Sequence, residues 1–196
     1  NEIELTSLGT QLNEALAQLA EEEARARRLE EAERQRLQAQ NKELEGFRSE
    51  FLGRLRTVIE GKEGVRIQGD RFVFASEVLF PLGKAELSDD GKEQIKSVAD
   101  LILSLANEFP DSIDWVLRVD GHTDDRPIVE KRDYSDNWEL SQARSLSVVR
   151  FLTSELGFPE NRLAAAGFGE YRPVNSGLDE AAKSQNRRIE FKLTEP

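Results

Sequence analysis

The chain has 196 residues and a formal net charge of −11, from 27 basic and 38 acidic side chains. This length has room for one domain of about 130 residues together with an extended element, but not for two globular domains. The acidic side chains are spread along the chain without a clustered basic face, which argues against nucleic-acid binding, and the absence of cysteine excludes disulfides and thiolate metal sites.

Residues 2–60 contain no proline and carry the heptad spacing of a coiled coil. Two sets of apolar residues recur every seven positions, and they are Leu5, Leu12, Leu19 and Ala26, then Leu37, Leu44, Phe51 and Val58. The step between the sets equals seven plus four, which is a stutter that locally unwinds a supercoil. We expect residues 1–60 to form a parallel dimeric spacer about 85 Å long at 1.5 Å per residue. A solvated single helix is the alternative, since residues 21–36 are mostly charged side chains and alanine.

The run Glu60-Gly61-Lys62-Glu63-Gly64 breaks the helical pattern and predicts a domain boundary, so that residues 61–196 form the second domain. Two short alternating segments then flank Gly69-Asp70, a dipeptide with glycine first that is typical of a type II′ hairpin. We expect the second strand of this hairpin to continue from Phe72 to Phe80.

The rest of the second domain alternates between helix and strand. Ser88 is expected to cap a helix whose apolar residues recur at spacings of three and four and which ends at residues 107–110. The predicted elements after it are a strand at residues 115–119, a helix from Asp136 to Gly157, a strand at 162–168 and an alternating strand at 189–193. The fold class is therefore α+β, with a β-α-β-α-β order, a mixed sheet and helices on one sheet face, preceded by the long coiled-coil helix.

A polar segment, residues 120–125, follows the strand at residues 115–119 and should lie in a loop at the strand end. In the next helix, which Asp136 and Glu139 begin as a capping-box-like pair, Arg144 shares a row with leucine and valine side chains at spacing four. A guanidinium beside an apolar row needs an anion nearby, and Asp124 is the nearest candidate in this topology. We expect the two groups to satisfy each other, or water, when no ligand is bound.

Four ordered motifs identify a family resemblance. They are Val119-Asp120-Gly121-His122-Thr123-Asp124, Asn137-x-x-Leu140-Ser141-x-x-Arg144-Ser145, Ala166-Gly167-Phe168-Gly169-x-x-x-Pro173 and Asn186-Arg187-Arg188-Ile189-Glu190. They resemble the peptidoglycan-associating domain family found at the C-termini of OmpA-like outer-membrane proteins, Pal-type lipoproteins and the flagellar stator protein MotB. The likeness covers roughly residues 65–194, and the loop between the first two motifs is longer than in the shortest family members. Two segments look most like the MotB branch, and they are Asp125-Arg126-Pro127-Ile128 and Asn137-Trp138-Glu139-Leu140-Ser141.

The resemblance implies that Asp124 and Arg144 grip diaminopimelate in the stem peptide of peptidoglycan. Free diaminopimelate carries an ammonium and a carboxylate on one carbon, so a receptor needs an acceptor and a bidentate donor a few ångströms apart. The N-terminus of the Asn137 helix adds unpaired N–H groups, so Asn137 caps the helix, binds ligand, or does both. Thr123 and Asp125, which flank Asp124, complete the predicted binding site.

Two interpretations remain open for each of several residues. Asn186-Arg187-Arg188 either contacts ligand, with Arg187 at the rim, or forms an edge-strand charge pair that fixes the last strand. Trp138 either packs against the loop 126–134 or lies exposed beside the sugar chain. His122 is assigned to shaping the loop by hydrogen bonding, and neither a metal site with Asp124 and Asp125 nor a paired-carboxylate glycosidase is favoured.

No nucleophile elbow or serine with a base partner supports catalysis, and no cofactor is expected. The family resemblance implies a noncatalytic periplasmic cell-wall anchor, and we expect it to dimerise through its coiled coil and to be held to the inner membrane by a helix upstream of Asn1, as in MotB-like relatives. A stator-type subunit of an ion-driven motor, and a structural adaptor that has lost ligand binding, are the alternatives.

Overall fold

The computed structural model describes residues 2–59, 64–106, 114–129 and 133–194, and the chain separates into two compact units, residues 1–47 and 48–196. The helices are α1 (Glu2–Ile59), α2 (Ser76–Leu79), α3 (Asp89–Ala106), α4 (Asn137–Ser154) and α5 (Glu180–Asn186). The strands are β1 (Val65–Gln68), β2 (Arg71–Ala75), β3 (Val116–His122), β4 (Leu163–Gly167) and β5 (Arg188–Thr194). The predicted boundary at residues 60–63 and the predicted helix end at residues 107–110 lie outside the described residues.

Helix α1 is continuous over Glu2–Ile59, which confirms the long helix expected from the sequence. Its exposed leucines include Leu12 and Leu19 of the predicted seam, which are 62% and 54% exposed. Because an amphipathic helix in water is stabilised mainly by packing of its apolar face, these leucines are available to a partner helix. Dimerisation itself stays a prediction. Within the described residues, the helices lack the combination of length and apolarity that crossing a membrane requires.

The five strands form one mixed sheet in the order β1-β2-β5-β3-β4, in which only β3 and β4 run parallel. This confirms the predicted mixed α+β fold. The hairpin is also confirmed, since Gln68 pairs with Arg71 and Gly69 has a φ of 64°. That positive φ at the first of two central residues is the geometry of a type II′ turn.

Three expectations about the strands were wrong. Strand β2 ends at Ala75 and not at Phe80, because its partner β5 begins at Arg188 and the chain turns into α2. Strand β3 runs on to His122, so the first residues of the polar segment belong to the sheet. Strand β5 lies between β2 and β3, so the expected edge-strand role of Arg187-Arg188 does not apply.

Helix α5 was not predicted. Asp179 caps it, its carboxylate accepting the Ala182 N–H at 2.7 Å, and this Asp-Glu-Ala-Ala-Lys start is a signal that could have been read from the sequence.

The two sheet faces differ in chemistry because side chains alternate along each strand. One face is apolar and fully buried, and its residues are Phe72, Phe74, Leu117, Val119, Ile189 and Phe191. Helix α4 packs closely on this face, since a Cβ at Gly121 would collide with the Ser141 backbone and one at Gly167 with the Gln142 backbone. The close approach places the N-terminal half of α4 beside the ends of β3 and β4.

Candidate functional site

Asp124 lies just beyond β3 and is 7% exposed. One carboxylate oxygen accepts the backbone N–H of Arg126 at 3.1 Å, which folds the loop back on the aspartate. The other oxygen accepts the Arg126 Nε–H at 3.0 Å and an Arg187 Nη1–H at 2.5 Å. The carboxylate is therefore held by two arginines.

Arg144 projects from the second turn of α4 and is 6% exposed. Its Nε donates to the Lys84 carbonyl at 2.8 Å and its Nη1 donates to the Ser76 hydroxyl at 3.0 Å. The guanidinium carbon lies 5.2 Å from the centre of the Phe80 ring, in a cation–π arrangement. Burial lowers the Arg144 pKa to about 10, against the opposing effects of Tyr134 and Asp124, so the side chain is charged at neutral pH.

We expected Asp124 and Arg144 to satisfy each other, or water, and a direct hydrogen bond between these two described side chains is not formed. The negative charge of Asp124 favours the charged form of Arg144, but each side chain makes its hydrogen bonds to other residues. The physical reason is Arg187, which lies directly before β5 and donates a hydrogen bond to the Asp124 carboxylate. Because Arg187 supplies this charged partner, Asp124 does not need a contact with Arg144.

Arg187 is more central than the sequence indicated. Besides Asp124 it donates to Glu77 and to Glu180, the latter at 2.7 Å. Burial disfavours its charge, but the hydrogen bonds to these three carboxylates outweigh burial and raise its pKa above the ordinary value. The signal available in the sequence was its motif, Asn186-Arg187-Arg188, which was open between a structural and a ligand-binding reading.

Asn137 ties the loop to the helix. Its amide donates to the carbonyls of Asp124 at 3.3 Å and Arg126 at 3.0 Å, and to a Glu170 carboxylate oxygen at 2.6 Å. The cap of α4 is Asp136, which accepts the Glu139 N–H at 2.9 Å, as the sequence predicted. Asn137 thus holds the backbone on which Asp124 is placed.

The two residues that flank Asp124 have different surroundings. The Thr123 N–H donates to the Gly169 carbonyl at 2.9 Å, whereas its buried hydroxyl has no hydrogen-bond partner among the described residues. Asp125 is exposed and pairs with Lys183 at 3.0 Å, and this hydrogen bond lowers its pKa. Thr123 therefore brings an unsatisfied polar atom to the loop, and Asp125 brings a solvated ion pair.

His122 does not shape the loop by hydrogen bonding. Its ring stacks on Phe168 with centroids 5.2 Å apart, and within the described chain neither ring nitrogen has a hydrogen-bond partner. Burial, followed by the nearby charge of Arg188, lowers its pKa to about 3, so the ring is neutral at physiological pH. Within the described ranges, no three histidine or carboxylate side chains form a group that could hold a metal ion.

The polar sheet face around His122 carries a network of ion pairs. Glu190 accepts hydrogen bonds from Arg71 and, at 2.6 Å, from Arg188. Asp120 accepts two from Arg118, at 2.6 and 2.8 Å.

Trp138 has a packing partner outside the loop 126–134. It is 48% exposed and stacks on Tyr171, with ring centroids 5.1 Å apart and an interplanar angle of 24°. Trp138 is the second residue of α4, directly after Asn137, so the aromatic pair lies beside the N-terminus of this helix.

The fold and the site define an α+β domain with a mixed sheet, a buried aspartate beyond β3 and a buried arginine on α4. The chain belongs to the OmpA family, whose family model matches residues 79–187 and so includes Asp124, Asn137, Arg144 and Arg187.

Solved structures agree with the predicted MotB-like branch. A putative MotB like protein from Desulfovibrio vulgaris superposes with a TM-score of 0.63 and 28% sequence identity, over 78% of this chain and 93% of that one. The cell wall anchor of the T6SS from Pseudomonas aeruginosa superposes with a TM-score of 0.59 and 27% identity, over 73% of this chain and 95% of that one.

Among curated sequences, the uncharacterized protein YtxE of Bacillus subtilis is 32% identical over 124 residues, which cover 63% of this chain and 48% of that protein. The chain spans about half the length of such curated relatives.

Proposed function

We propose that this chain is a noncatalytic cell-wall anchor whose second domain binds peptidoglycan by the diaminopimelate of its stem peptide. The likeness to the cell wall anchor of the T6SS supports the role. The site residues proposed are Asp124, Arg144, Asn137, Thr123 and Asp125, with Arg187 and Trp138 at the rim.

The observation that carries this proposal is the hydrogen-bonding capacity left open at three neighbouring groups. A carboxylate offers about four acceptor positions, and the described residues fill three at Asp124. A guanidinium has five N–H donors, and the described residues use two at Arg144. The Thr123 hydroxyl is unsatisfied. An amino-acid head group would place its ammonium on Asp124 and its carboxylate on Arg144.

Binding at one site should be weak, because Arg126 and Arg187 already compensate the Asp124 charge. Two domains joined by a dimeric α1 would raise the apparent affinity for a polymer that both can reach. The proposal therefore includes a homodimer through α1, a periplasmic location and an inner-membrane helix upstream of Asn1.

The test is a pull-down with purified peptidoglycan sacculi. Asp124→Ala and Arg144→Ala should each abolish retention of the protein while its circular dichroism is unchanged. Asp114→Ala is the matched control, since this exposed carboxylate pairs with Arg162 instead. Retention of both site variants at the wild-type level would refute the site.

A stator-type subunit is the second candidate, favoured by the MotB like structure. A membrane helix upstream of Asn1 that carries an aspartate facing a channel partner would support this role, and a purely apolar helix would support a plain tether. An adaptor without ligand binding would give no heat in calorimetry with millimolar diaminopimelate-containing muropeptide.

A further inference from the structure

The stacked rings of Trp138 and Tyr171 leave an aromatic surface in water. Tyr171 is 62% exposed although Trp138 covers one of its faces, so its opposite face must be largely open. Large aromatic side chains usually bury most of their area, and an exposed pair held in one orientation is a preformed apolar contact surface.

This surface is joined to the candidate site by short connections. Trp138 follows Asn137, whose amide contacts the Asp124 carbonyl, and consecutive Cα atoms are only about 3.8 Å apart. Tyr171 follows Glu170, whose carboxylate accepts from the same amide at 2.6 Å. The rings therefore stand on the two segments that Asn137 fastens to the Asp124 loop.

We propose that Trp138 and Tyr171 form a subsite for a sugar ring of the glycan strand, which deepens the proposed function and rests on it. A pyranose presents C–H groups on one face, which stack on an aromatic ring, and hydroxyl and acetamido groups at its edge, which need polar partners. The Glu170 carboxylate beside Tyr171 is such a partner. The aromatic pair thus matches the chemistry of an N-acetylated sugar.

The covalent structure of peptidoglycan fits this spacing. Diaminopimelate is the third residue of a peptide attached to the sugar, and an extended chain spans at most about 3.3–3.6 Å per residue. Three extended residues span roughly 10 Å, so the stem is long enough to hold its diaminopimelate at Asp124 while its sugar contacts a surface that begins one residue beyond Asn137.

The experiment compares two ligands by calorimetry on the whole chain. One is a disaccharide muropeptide with a diaminopimelate stem, and the other is the same stem peptide without sugar. We expect the wild type to bind the muropeptide about fivefold more tightly, the scale of one aromatic stacking contact. Tyr171→Ala should reduce this ratio to about one without weakening the binding of the free peptide, and Trp138→Ala should also reduce the ratio. Leu82→Ala, at a residue 96% exposed, is the matched surface control.

Fluorescence supplies a second readout. The chain has two tryptophans, and Trp115 is only 7% exposed, so quenching by a peptide-free oligomer of N-acetylglucosamine should report on Trp138 and vanish in Trp138→Phe. Equal affinity of the wild type for both ligands, or an unchanged ratio in Tyr171→Ala, would overturn the sugar subsite alone. Absence of binding to either ligand would instead overturn the proposed function.

Discussion

Two groups of charged side chains lie near β3, one on the sheet face and one beyond the strand end, and they have different kinds of hydrogen-bond partner. On the sheet face, Asp120 and Glu190 are 0% and 2% exposed, and each carboxylate is held by arginine through two hydrogen bonds. Beyond the strand end, Arg144 is almost as deeply buried, but within the described part of the chain it is hydrogen-bonded only to a hydroxyl and a carbonyl.

Burial of a charged side chain does not by itself identify a binding site in this domain. Removing a charge from water is costly unless partners replace the lost hydration, and the sheet-face carboxylates have such partners within the chain. At the strand end, Arg144 and Thr123 keep hydrogen-bonding capacity that the described residues do not fill. The kind of partner separates the two groups: the sheet-face carboxylates bond arginines, whereas Arg144 bonds no carboxylate among the described residues.

The largest effect is expected from breaking the sheet-face network. Glu190→Ala would leave Arg188, itself 3% exposed, without its carboxylate, and should lower the free energy of unfolding by about 3–5 kcal/mol. Asp124→Ala should cost less, about 1–2 kcal/mol, because Arg187 keeps Glu77 and Glu180 as partners. Urea unfolding followed by circular dichroism measures both, and equal losses would contradict the distinction.

A pH-dependent effect of intermediate size is expected at His122. Its folded pKa of about 3 lies below the ordinary value near 6.5, so the unfolded chain binds a proton that the folded protein does not. Stability therefore falls as pH drops from 6.5 towards 3, by about 2 kcal/mol at pH 5. Its charged neighbours are Arg188, Arg71, Arg172 and Glu190, and the Glu190 carboxylate is 3.8 Å from Nε2.

His122→Phe keeps a ring against Phe168 and removes this titration. The loss of unfolding free energy between pH 7 and pH 5 should then be smaller than in the wild type by about 2 kcal/mol. Parallel stability curves for the two proteins would show that His122 is not held neutral.

The smallest effect on stability is expected at Thr123. Thr123→Val removes a buried hydroxyl that has no partner in the described chain, so unfolding free energy should stay the same or rise by up to about 1 kcal/mol. Ser145→Ala is the matched control, since that hydroxyl donates to Ala166 O at 2.9 Å and its loss should cost about 1 kcal/mol. Retention on sacculi should fall in Thr123→Val alone. A loss of stability in that variant would mean that the hydroxyl is satisfied.

Elements with strong local signals were predictable from the sequence. The α1 helix, the Gly69-Asp70 turn and the capping of α4 by Asp136 depend on periodicity and backbone chemistry within a few residues. The end of β2 was not predictable in this way, because it is set by where β5 begins, more than a hundred residues later. Tertiary pairing decided that boundary, not the residues beside it.

The candidate site shows the same division. Burial of Arg144 on α4 and its need for polar partners followed from the row of leucines and valines around it. The identity of those partners did not, because Ser76 lies in a segment predicted to be strand and Lys84 lies shortly after it. Arg187 joined Asp124 only because β5 lies in the middle of the sheet.

The central position of β5 also bears on when the sheet can close. The β1–β2 hairpin and the parallel β3–β4 pair come earlier in the chain, and only β5 joins them, antiparallel to a neighbour on each side. During synthesis the two strand pairs cannot be joined into one sheet until residues 188–194 have emerged, and this joining requires contacts between distant parts of the chain, which form slowly. If the chain passed through a translocation channel N-terminus first, its sheet would therefore stay incomplete until β5 had passed the channel.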